Sequence, residues 1–142
     1  MRRLHRITVG YAAISLFVFL ASSLYNVFAR GVTSLPMLHA FYFPLFLGMF
    51  LHMFLIFRER NVHFAGSRGF RLFENVYNSG VACLTVSSIL QGIFEIAGTD
   101  SPYLPFLTYA GWVLVGLGGL LLLSLQVMLY GRASSRRSRR DF

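Results

Sequence analysis

Lysine is absent from this sequence, cysteine occurs once, at position 83, and only five of the 142 residues are acidic. A single cysteine excludes an intramolecular disulfide, a CxxC pair and a thiolate metal site within one copy, and it leaves the redox compartment unreadable. The lack of lysine makes every basic residue an arginine. That bias reads first as GC-rich coding, although arginine is also the better bidentate partner for phosphate. Charged residues amount to 13%, about half the roughly 25% of a soluble domain. HExxH, GxSxG, the P-loop and a Cys/His nucleophile pair are all missing, so no catalytic constellation argues for an enzyme and no cofactor is implied.

What is present is apolar. Hydrophobic residues make up 56% of the chain and fifteen are Phe, which places it among integral membrane proteins. Its net charge of +8 would suggest nucleic acid in a soluble protein. Here the arginines sit in short tracts between apolar runs, the pattern that anionic headgroups and insertion select. The expected partners are therefore a bilayer with anionic headgroups and other membrane subunits or further copies of the chain, not nucleic acid.

The expected fold is all-α, an integral membrane four-helix bundle in one domain. Spans are expected at about 7–29, 36–57, 75–98 and 104–130, with a disordered Arg/Ser-rich tail over 131–142. Each span is near or above the ~20 residues that a helix needs to cross a bilayer. The first could instead be a signal sequence ending at Val27-Phe28-Ala29. Its apolar run is longer than the roughly 7–15 residues of a signal core, and Ser15, Ser22 and Asn26 recur on one face, so a retained helix is expected. Twelve of the 13 arginines fall on the side holding both termini and the 58–74 loop, and Arg30 is alone opposite. The positive-inside rule then puts both termini in the cytoplasm, of a bacterial inner or plasma membrane.

The second span, PMLHAFYFPLFLGMFLHMFLIF, carries the most distinctive pattern. Ala40, Pro44, Gly48 and His52 recur every four residues, which on a helix forms one thin face with an imidazole at its inner end. That face should turn toward the other helices and leave Phe to the lipid. In the third span Asn78, Thr85, Ser88, Gly92 and Glu95 share a face. In the fourth, Gly111, Gly116, Gly118 and Gly119 allow close approach without a strict GxxxG. Between the second and third, Phe64, Phe70 and Phe73 lie among Arg60, Arg68 and Arg71. They suggest either a segment at the headgroup boundary or a plain basic loop.

Polar groups of the spans sort by depth, and among them His52, Asn78, Gln126, Glu95, His39, Gln91 and Asn26 are the candidates for buried or ligand-contacting roles. The inner group is Tyr11, His52, Asn78, Gln126 and Tyr130. The outer group is Asn26, His39, Gln91, Glu95, Tyr109 and Trp112, flanked by Arg30 and Asp100. Glu95 is the one acid expected inside a span. It is either a proton- or cation-linked site answered by His39 or Arg30, or a group that reaches the outer headgroups. His52 is either hydrogen-bonded to Asn78 or Gln126, or an axial ligand for haem or a pigment. His39 is turned about 140° from it on the same helix at 100° per residue, so that pair cannot clamp two stacked haems. Arg132, Arg136, Arg137, Arg139 and Arg140 form a membrane-surface tail, interleaved with Ser134, Ser135 and Ser138 as possible phosphorylation sites.

The order of parts resembles that of the small GtrA-like membrane proteins, on the stretches GYAAISLFVFL, LGMFLHMFLIFRER and RGFRLFENVYNSG. The resemblance implies a four-helix membrane fold linked to transfer of polyprenyl-phosphate sugars. The family's Asn-Phe pairs are replaced here by His52-Met53 and Gln126-Val127, so no functional residue carries over. Three functions follow as expectations. The first is an accessory or assembly subunit of a larger membrane complex. The second is a transporter of an amphiphile, such as a polyprenyl-linked sugar, or of protons. The third is a haem- or pigment-bearing subunit resting on His52.

Overall fold

The computed structural model describes residues 2–28, 34–59 and 68–138, with side chains described over 4–28, 34–57 and 68–128. The described residues are helical almost throughout, in α1 (Arg2–Phe28), α2 (Leu35–His39), a π-helical segment (Phe43–Phe50), α3 (Leu51–Glu59), α4 (Arg68–Ala97) and α5 (Leu104–Ser138). The segments α2, π and α3 run on from one another and make the second span. Among the described residues four helices are long and apolar enough to cross a membrane: Leu4–Phe28, Leu35–Phe57, Arg68–Ala97 and Leu104–Met128.

The second span is interrupted for a chemical reason. Pro44 has no N–H to donate one turn back and its ring crowds the preceding turn, so an α-helix cannot run through it unchanged. The chain turns at Ala40 and Phe41, then widens into π-helix from Phe43 to Phe50 before α3 resumes. The wider i→i+5 turn has a consequence for the small-residue face. Residues four apart overshoot a full turn of 3.6-residue α-helix, and widening the turn brings them nearer to vertical alignment. Ala40, Pro44, Gly48 and His52 are accordingly all buried, as their spacing predicts.

Each span buries one stripe. In α1 the buried positions are Leu4, Tyr11, Ser15, Val18 and Ser22, a helical repeat turned toward the second span. The main packing follows chain order, with α1 on the second span, the second span on α4, and α4 on α5. The α4–α5 contact is the closest, because Gly80 lies against Val115 and the Gly111 carbonyl, while Gly118 lies against Tyr77. Ser87 and Thr108 bring their hydroxyls within 2.5 Å across the same seam.

Two boundaries differ from the sequence-based expectation. The third helix begins at Arg68, seven residues before Asn75, and Phe70 and Phe73 are fully buried in the core with Leu4, Leu55, Tyr77 and Leu122. They are core residues of the bundle. Arg68 and Arg71 are exposed on the same helix, so charge at its start marks a solvated face. The helix α5 continues to Ser138, past the expected break at Tyr130. Arginine and alanine are good helix formers, and no proline follows to stop it. The positions Arg30, Arg60, Phe64, Arg139 and Arg140 lie outside the described residues.

At the other end, α4 stops at a Schellman motif. Gly98 takes φ +67, its N–H reaches the Glu95 carbonyl at 3.2 Å, and the Thr99 N–H reaches the Phe94 carbonyl at 3.0 Å. Glycine suits this position because it carries no Cβ to clash in the left-handed region.

Candidate functional site

Polar side chains gather at the arginine-bearing end of the spans, where α1, the second span and α4 converge. Tyr11 of α1 lies against the π segment at Gly48, where even a methyl group would overlap its ring. Its hydroxyl reaches across to α4 and donates to Asn78 Oδ1 at 2.6 Å. From α4, Tyr77 donates its hydroxyl to the Leu47 carbonyl of the π segment at 2.9 Å. Glu74, one turn earlier, is 2% exposed and therefore inside the protein.

His52 sits at the centre of this cluster with no exposed surface. Its Nδ1 is 2.8 Å from the Gly48 carbonyl. A carbonyl only accepts, so Nδ1 carries the proton and donates, which leaves Nε2 as an acceptor. Nε2 is buried without a hydrogen-bond partner among the described residues, and the Tyr11 ring lies 5.3 Å from the imidazole. The expected hydrogen bonds from His52 to Asn78 or Gln126 are therefore not made. Asn78 is engaged by Tyr11 instead, and Gln126 is half-buried on α5. Among the described residues no group of three His, Cys, Asp or Glu side chains could hold a metal ion.

The outer group is only partly assembled. Ser34, at the start of α2, donates its hydroxyl to Glu95 Oε2 at 2.6 Å, and Ser88 donates to the Pro36 carbonyl at 2.6 Å. These bonds tie the entry of the second span to the end of α4. Glu95 is itself exposed and His39 turns outward, its Nδ1 on the Leu35 carbonyl at 2.8 Å. Gln91 is also exposed, whereas Asn26 is half-buried with an Oδ1 that has no hydrogen-bond partner among the described residues. Tyr109 and Trp112 stand exposed on the outward face of α5. The side chains of Tyr130, Arg132, Arg136 and Arg137 are outside the described set.

A groove of about 450 Å³ runs upward from the inner cluster between α1 and α4, within the ~300–1,000 Å³ range of small-molecule sites. Pro44 of the π segment lies at its base, Ile14 and Val18 line one wall, and Val81, Val86 and Ile89 line the other. Its polar groups are Tyr11 and Asn78 at the inner end and Thr85 higher up. The Thr85 hydroxyl is already donated to the Val81 carbonyl at 2.8 Å.

Two features of this site are absent from the expectation drawn from the sequence. Glu74 is assigned there to a loop, although Phe70, Phe73, Tyr77 and Leu84 already repeat at helical spacing and carry the helix back past it. The tyrosine-to-backbone bond of Tyr77 depends on the π segment and leaves no mark in the sequence.

No curated protein and no solved structure matches the chain. Residues 1–131 match the family model described as "Protein of unknown function (DUF2871)", and the chain belongs to that family.

Proposed function

We propose that this is a non-catalytic multi-pass membrane protein, with both termini on the cytoplasmic side, that serves as a lateral subunit of a larger membrane assembly. The observation that carries the reading is the outward face of α5. Gly111 and Gly118 of that helix are pressed against α4, whereas a Cβ added at Gly116 or Gly119 would meet no described residue of another helix within 4 Å. Glycine in a helix interior costs about 1 kcal/mol relative to alanine. In membranes small residues concentrate where another helix backbone comes close. Two glycines turned to open space on a helix whose two other described glycines are packed fit a face built for a further helix. Trp112, Leu120 and Leu123, all more than half exposed, would flank that contact. Twelve arginines on one side of the spans against one on the other support the orientation.

The test is the native mass of the protein extracted gently from its own membrane, before and after Gly116→Leu. The expected result is a particle far heavier than the 16.1 kDa chain that contains other polypeptides and falls apart in the variant. A wild-type particle of one chain overturns the reading. So does an assembly indifferent to both Gly116→Leu and Gly119→Leu.

A further inference from the structure

We propose that the groove between α1 and α4 holds one acyl chain of an anionic phospholipid, with an ester carbonyl of the lipid on the Asn78 amide and its phosphate at Arg71. The groove is a gap between two helices that both pack on the second span, so its long opening faces the bilayer. Its walls are aliphatic, and its free hydrogen-bonding capacity is concentrated at the inner end. Asn78 is half-buried there. Its carbonyl oxygen is taken by Tyr11, and no described residue accepts from its amide nitrogen. An acceptor that enters along the groove satisfies that nitrogen. Burying a polar hydrogen without one is costly.

The face of α4 that lines the groove continues below it. Arg71 precedes Asn78 by seven residues, two helical turns, and so shares its face about 10 Å lower along the axis. Arg71 is exposed, as is Asn75 between them. Glu74 is 2% exposed and packed inside, so the charge presented on this face at headgroup depth is the guanidinium. Chain above, hydrogen-bond donor at the boundary and cation below match the order of parts in a phospholipid: acyl chain, ester carbonyl, phosphate. Arginine suits the last of these because its planar fork binds phosphate oxygens in pairs. A wholly neutral amphiphile would leave Arg71 without a role.

The test uses the full chain in phosphatidylcholine nanodiscs doped with phosphatidylglycerol, followed by mild detergent release and native mass spectrometry. One phosphatidylglycerol is expected to stay bound while phosphatidylcholine is stripped away. Ala82→Phe, which fills the groove from α4, should remove the adduct, and Val113→Phe on the outward face of α5 should not. Arg71→Gln should reduce the preference for phosphatidylglycerol about fivefold, the worth of one surface arginine, without lowering the melting temperature. Equal retention of the two lipids by the wild type overturns the proposal, and so does an adduct that survives Ala82→Phe, which would be an annular lipid only. Should Ala82→Phe fail to insert, Arg71→Gln decides alone: an unchanged lipid preference overturns the site. None of these outcomes depends on whether the protein has a lateral partner.

Discussion

Tyr11 Oη lies 2.6 Å from Asn78 Oδ1, and this bond joins the first span to the third across the mouth of the groove. The two helices approach each other little elsewhere. Double-mutant cycles between Tyr11→Phe and Asn78→Leu should therefore return a coupling of about 0.6 kcal/mol, the average for hydrogen bonds inside membranes, and not above ~1.7. Unfolding in mixed micelles measures it. A coupling near zero would mean that the bond is replaced by others when either partner is removed.

Gly48 is where the second span admits the Tyr11 ring. Gly48→Ala places a methyl group inside the ring's volume, and overpacking of this kind costs typically about 1–3 kcal/mol. Tyr11→Ala alone is also expected to destabilise, by opening a cavity. Combined with Gly48→Ala it should cost less than the sum of the two, because the collision no longer exists. Additive losses in the same unfolding assay would show that the ring already has room to move aside.

How much of this was readable beforehand depends on the kind of signal. The buried line Ala40, Pro44, Gly48 and His52 follows from side-chain size at a fixed spacing, and the four spans follow from apolar length. The π segment does not follow. It arises from how the backbone relaxes around Pro44, and several relaxations are open to the same residues. A hydropathy reading starts α4 too late because Arg68 and Arg71 weigh heavily in it, while a helix end can carry arginine on one face and bury Phe70 and Phe73 on the other. The pairing of Tyr11 with Asn78, in place of His52 with Asn78, depends on interhelical geometry that one sequence does not encode locally.

Gly98 supplies the left-handed residue that ends α4 (φ +67). Gly98→Ala should destabilise the protein by about 1–2 kcal/mol through Cβ strain alone. The added methyl itself meets nothing within 4 Å, so Gly98→Ser and Gly98→Ala should cost similar amounts, and Gly98→Asn less, since asparagine tolerates this region better. Thermal unfolding of the three variants checks the order.

Ser34 and Glu95 meet at this same end of α4, through a 2.6 Å hydrogen bond to an exposed carboxylate. Exposure limits its worth. Glu95→Gln keeps an acceptor for the serine hydroxyl and is expected to change stability by less than about 1 kcal/mol, within the range of an ordinary net hydrogen bond. Ser34→Ala should cost about the same. Insertion levels should be unchanged in both, as measured by the amount of protein in the membrane fraction. A large loss from Glu95→Gln would instead mark that charge as essential, and would support the proton-linked role that its position in the third span suggests.

Orientation is open to a direct test because the chain has a single native cysteine. In a Cys83→Ser background, Ser101→Cys places a thiol in the turn between α4 and α5, and Ser135→Cys places one in the arginine-rich C-terminal stretch. A membrane-impermeant maleimide added to intact cells should label the first, and should label the second only after permeabilisation. The expectation rests on the twelve-to-one division of arginines, since the side richer in arginine is the one retained in the cytoplasm. The reverse labelling pattern would turn the protein over in the bilayer, move Arg71 and the inner polar cluster to the outer leaflet, and require the lipid in the groove to come from that leaflet instead.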